Sequence, residues 1–161
     1  MKSAVFALLI ACMPVAATAL SCMPHSVEAA FLEAQADEAL FIVVRGQLSF
    51  DDQKLPKVDF ENQQATPEMT LIEAQFTGNS LSRNGFSTPF DRPVTLAVAC
   101  YGPWCANVKD SSDVLAFVEL DADGEVIATN PCGGYLFSNP TQKMISAVKA
   151  CFGGKTCKPS R

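Results

Sequence analysis

The cysteines constrain this chain most. Seven are present, and six of them, Cys22, Cys100, Cys105, Cys132, Cys151 and Cys157, lie beyond an apolar leader that contains Cys12. An even number of cysteines in an exported chain of modest size reads as three disulfides. Six cysteines allow fifteen connectivities, and the spacing alone leaves them open. Zinc is the competing use. It is disfavoured because there is no C-x-x-C pair and the only histidine, His25, is remote in sequence from most of the cysteines.

Export is read from the first nineteen residues. Lys2 supplies a positive start, Ala4–Ala11 is a short apolar run, and Ala17-Thr18-Ala19 has the small-x-small pattern of a cleavage site. Cleavage after Ala19 divides the chain into a signal peptide, 1–19, and a single domain, 20–161, whose new terminus is Leu20-Ser21-Cys22. Two other readings stand beside it. The apolar run can be a buried helix, or "LIAC" or "ALSC" can be a lipoprotein signal with Cys12 or Cys22 acylated. The expected location is secreted or periplasmic. The formal charge is −5, and loss of Lys2 makes it −6. An acidic domain with scattered lysines and arginines repels phosphate backbones, so nucleic acid is not an expected partner. No later apolar run is long enough to span a membrane.

Periodicity places the elements. Ser26 is a helix cap ahead of a short helix, 27–35, with Ala30, Phe31 and Ala34 on one face. Strands are expected at 39–50, 69–78, 94–100, 113–120 and 125–129, with Gly46 marking a bulge or bend. Residues 51–68 and 79–93 read as loops, the second with an Asn84-Gly85 turn, and Asp121–Gly124 as a hairpin turn. A second helix, 140–152, is expected with Asn139 as cap and Pro140 at its first position. Met144, Ile145, Val148, Cys151 and Phe152 form its apolar face. Five strands with two flanking helices suit a small closed barrel better than a sandwich.

Candidate chemistry is sparse. His25 is the only histidine for a catalytic triad, and its place before a helix cap favours a surface role. Asp121–Glu125, "DADGE", opens like a calcium loop but returns at once to a strand, so a hairpin turn is favoured. Asp51-Asp52 reads as a solvated pair, and Gly133-Gly134 lacks the lysine of a phosphate loop. "YGPW", Tyr101–Trp104, is a binding patch if exposed and a barrel plug if packed. The tendency of tryptophan to bury its surface favours packing. No enzyme site, cofactor or resident metal is assembled.

The pattern Cys22-Met23-Pro24, Ala30-Phe31, Asp37 and the Phe41–Gly46 strand resembles the start of the N-terminal domain of the tissue inhibitors of metalloproteinases. "VACYG" around Cys100 and "VLAFVELDADGEVIATNPC", Val114–Cys132, resemble later parts of it. The likeness extends to the wider inhibitor-like superfamily, small exported bacterial proteins included. It implies an OB-fold, a five-stranded Greek-key barrel. It also implies a Cys22–Cys132 disulfide, with Cys100–Cys105 and Cys151–Cys157 as the remaining pairs. In the family, the mature N-terminal amine and first carbonyl chelate a protease's zinc, and the second side chain enters the specificity pocket. Here these positions are Leu20 and Ser21. The sequence departs from the family at its first residue, where a cysteine is replaced by Leu20, so the terminus lacks one tether.

The resemblance therefore implies a binding module acting through Leu20, Ser21, Cys22, Met23 and Pro24, beside Val98 and Ala99, on a protein partner such as a zinc metalloprotease. The alternative is a non-inhibitory envelope domain using Trp104 and its loop.

Overall fold

The computed structural model describes residues 20–122 and 124–159. The expected signal peptide, Cys12 and Asp123 lie outside the described residues. Helix α1 (Val27–Ala36) is followed by strands β1 (Leu40–Phe50), β2 (Met69–Ser82), β3 (Gly85–Tyr101), β4 (Trp104–Cys105), β5 (Ser111–Asp121), β6 (Gly124–Asn130), β7 (Gly133–Gly134) and β8 (Leu136–Ser138). Helix α2 (Gln142–Phe152) follows.

Strand β2 pairs with β1 and β3, and β5 pairs with β1 and β6, all antiparallel. Strands β3 and β6 run parallel where Thr95–Val98 meets Val126–Thr129. The five long strands thus follow one another in a cycle, β1–β2–β3–β6–β5. The cycle is uneven, since β2 and β3 pair along almost their whole length while β5 and β6 share only the three pairs from Glu119↔Val126 to Asp121↔Gly124. Short β8 adds to β5, and β7 to β6.

The apolar residues form two layers. Val44, Leu48, Ile72, Phe76, Leu96, Val98, Val118 and Ile127 pack together in the space enclosed by the strands. On the other face of β1 and β5, Val43, Leu115 and Phe117 pack against Val27, Ala30 and Ala34 of α1 and Val148 of α2. This explains the unbroken apolar run Val114–Val118, because a strand buried on both faces has no polar alternation.

Where β1 crosses β2, Gly46 and Gly78 face each other. A Cβ added at either would lie 2.6 Å from the other's Cα. The register of β1 against β5 shifts just after Gly46, at the bend the sequence indicated. Nearby, Arg45 grips Asp113 with two parallel hydrogen bonds of 2.8 Å, linking β1 to the start of β5.

Two expectations are corrected. Residues 79–93 are not a loop, because β2 and β3 stay paired up to the Asn84-Gly85 turn, with Asn79↔Pro89 and Gln75↔Pro93 in register. Helix α2 is capped by Thr141, whose hydroxyl accepts from the Met144 N–H at 3.3 Å. Asn139 instead takes a left-handed conformation (φ 49°) and donates its N–H to the Asp113 carbonyl at 2.8 Å.

Gly46→Ala is expected to destabilise the fold by about 1–3 kcal/mol, the usual cost of forcing atoms into a filled space. Urea unfolding measures this, and an unchanged midpoint would mean that the two strands separate freely. The Asp113 carboxyl is held below the ordinary aspartate range by hydrogen bonds from Arg45, opposed by burial and assisted by the charge of Arg45. The two side chains are 36% and 38% exposed, so solvent screening limits the pair to about 1 kcal/mol or less. The depressed carboxyl gives stability that is complete above the ordinary aspartate pKa of about 3.9 and is lost as pH falls through the lower folded value. Asp113→Asn should therefore be less stable than the parent at neutral pH, with the gap closing in acid.

Candidate functional site

The segment Leu20–Pro24 approaches α1 and is fixed from both ends. Cys22 is bridged to Cys132, 110 residues away, with their Cα atoms 5.1 Å apart. The Cys132 N–H donates to the Asn130 side chain at 2.8 Å, which sets the turn after β6. At the other end, the Ser26 hydroxyl accepts from the Ala29 N–H and starts α1.

His25 lies between these anchors. Its Nε2–H donates to the Gly134 carbonyl at 2.7 Å, and its ring stacks on Phe137 with centroids 5.5 Å apart. A carbonyl can only accept, so the proton is on Nε2. Gly133 lies beneath the ring at φ 139°, where an added Cβ would come within 2.8 Å of the His25 Cβ. His25 therefore seats the N-terminal segment on the β6–β7 turn.

Beside this segment opens a cleft of about 770 Å³. Ser21, Cys22, Met23 and Pro24 line it together with Met69 of β2 and Ala99 and Tyr101 of β3. Glu33 of α1, Asn130 and Tyr135 also line it. Tyr135 packs against Phe41 and Phe117. Its hydroxyl pKa is raised by burial first, then by the charges of Glu33, Asp37 and Glu119, so the phenol stays protonated at neutral pH.

The structure brings Ser21–Pro24 and Ala99 together around one cleft, with Leu20 exposed at the end of the segment. Met23 is the most exposed of the large apolar residues, at 86%. Val98 does not join them: its side chain is 0% exposed and points into the space enclosed by the strands. No free strand edge runs beside it either. Val98 is paired with Thr70 on β2 and Thr129 on β6, and the Ala99 carbonyl accepts from the Ala106 N–H.

The "YGPW" loop is a second correction. Cys100 and Cys105 are disulfide-linked partners across β3 and β4, and Tyr101 faces Trp104 beyond them. Both aromatics are nearly half exposed, at 46% and 43%, so neither plugs the strand cycle. A third disulfide, Cys151–Cys157, ties the C-terminal tail to the end of α2.

The remaining candidates are local. Asp51 accepts from the Gln53 N–H and caps a short turn in the loop, and Asp121 accepts from the Ala122 N–H at the β5–β6 hairpin. Sequence reading missed Glu33, Met69 and Tyr135. None of them carries a local mark of a site, and the cleft arises only when separate elements converge. No family model, curated protein or solved structure matches the chain.

Gly133→Ala should displace His25 and loosen the N-terminal segment, at a cost of about 1–3 kcal/mol for the strained backbone and the clash. Faster amide hydrogen exchange over residues 22–30, with the β1–β2 ladder unchanged, is the expected result.

Proposed function

We propose that this chain is an exported protein-binding module built on an OB-fold barrel, and that it works through its mature N-terminus rather than by catalysis. The order of strand pairing, with antiparallel neighbours and one parallel closure between the third and fifth long strands, supports the OB reading. The observation that carries the functional reading is the Cys22–Cys132 bridge. It holds Leu20–Pro24 as a ridge beside Ala99, with Met23 projecting and Met69, Tyr101 and Trp104 exposed on the same side. A surface of exposed methionine and aromatic residues next to a fixed chain terminus is suited to protein contact.

Within that reading, the partner is a zinc metalloprotease. The amine and carbonyl of Leu20 would chelate its zinc and Ser21 would enter its specificity pocket. Leu20 lies two residues outside the disulfide, and ordering it on binding reduces affinity. Without a protease target, the same face serves an envelope binding domain, a reading favoured by the exposure of Tyr101 and Trp104.

The test compares the chain starting at Leu20 with one carrying an extra alanine ahead of it, against a panel of zinc metalloproteases. Inhibition by the first and not the second is expected, because the extension moves the amine from the zinc. Equal potency would remove the chelation mechanism. Trp104→Ala weakening a partner that the extension leaves untouched would favour the envelope domain.

A further inference from the structure

The cleft beside the N-terminal ridge differs in chemistry from the ridge itself. Met23, Met69 and Ala99 give it apolar lining, and Tyr101 and Tyr135 add aromatic surface. Glu33 is the only carboxylate in the lining, which contains no lysine or arginine. Asp37 and Glu119 add their charge near the Tyr135 hydroxyl. The ion pairs among the described residues are Arg45–Asp113 and Arg92–Glu125, so these three carboxylates have no basic partner there. His25 is turned to the Gly134 carbonyl, and Lys158, next to Pro159 at the mouth, is exposed. A cleft with a largely apolar and aromatic lining and one carboxylate without a basic partner complements a side chain with a long aliphatic stem and a cationic head.

We infer that this cleft is a receptor for a single lysine or arginine side chain presented by the protein partner, with its stem between Met23, Met69 and Ala99 and its head toward Glu33 and the Tyr135 hydroxyl. The inference rests on this face being a docking surface, but not on zinc chelation. The acidic balance of the chain favours a basic partner segment in the same direction.

The test is an NMR titration of the full mature chain with three capped tripeptides whose central residue is lysine, norleucine or glutamate. The lysine peptide is expected to shift the amides of Ala99, Ala128, Asn130 and Tyr135, and to bind more tightly than the other two. Glu33→Gln, at an exposed position on α1, should leave the free spectrum intact and weaken the lysine peptide about two- to fivefold, the range of an exposed ion pair. Equal binding of norleucine and lysine, equal binding of glutamate, shifts confined to other surfaces, or an unaltered affinity in Glu33→Gln would each overturn the assignment. Repeating the titration with the alanine-extended terminus separates the two readings. Undiminished zinc-protease inhibition by the extended chain, with the lysine response intact, removes the chelation mechanism alone, whereas an absent lysine response, with inhibition lost on extension, removes the cleft assignment alone.

Discussion

The parallel pairing of Thr95–Val98 with Val126–Thr129 is the constraint on which the rest depends. It joins the two ends of an otherwise antiparallel run of strands, so Leu96, Val98 and Ile127 turn toward Val44, Ile72 and Phe76 instead of toward water. It also brings the end of β3 beside the end of β6. Ala99 and the Asn130–Cys132 turn thereby reach the same end of the molecule, and the cysteine that holds the N-terminus is presented there. Without this register, Cys22 would have no partner next to Ala99. The cleft would lose the wall formed by Ala128 and Asn130.

The disulfides act on different scales. Cys22–Cys132 closes a loop of 110 residues, and the chain-entropy account gives such a bridge roughly 4–5 kcal/mol against the unfolded chain. Cys100–Cys105 and Cys151–Cys157 span 5 and 6 residues, so each constrains little of the unfolded chain and mainly shapes a local feature. One shapes the hairpin that displays Tyr101 and Trp104. The other holds the tail near the start of α1, where the Cys157 sulfur lies 3.8 Å from the Glu28 carbonyl. The long bridge therefore stabilises the whole molecule and also fixes where the segment Leu20–Pro24 lies.

What could be read in advance follows from how residues are buried. The β1 and β5 segments and the Ser26 cap were legible because continuous apolar runs and capping residues are local signals. The hairpin 79–93 was not. Phe90 is buried in the enclosed core and Leu81 and Phe86 pack against the second layer, but residues 87–89 and 91–93 are exposed and polar or proline residues separate the apolar ones, so no continuous apolar run marks the strands. Serine, asparagine and proline there resemble a loop in composition. Val98 and Ala99 illustrate the other limit. Strand alternation puts them on opposite faces, but only the packing of the N-terminal segment over β3 shows which face is the site. Glu33, Met69 and Tyr135 had no local mark at all, because a cleft made from a helix, a strand and a turn has no sequence period.

The fold also limits how this face can engage a partner. Strand addition needs an unpaired edge with free N–H groups. Near the ridge, β3 is occupied on both sides, by β2 and by β6 or β4. Further out, over Gly85–Val94, β3 pairs with β2 alone among the described residues, but Pro89 and Pro93 lie on that stretch. A proline tolerated within a strand turns its missing donor away from its neighbour, so these two blunt the outer edge. Backbone pairing along β3 is thus closed to a partner at both places. The partner contact proposed for this side therefore falls to side chains and to the segment Leu20–Pro24, which the Cys22–Cys132 bridge and the His25 contact hold in place.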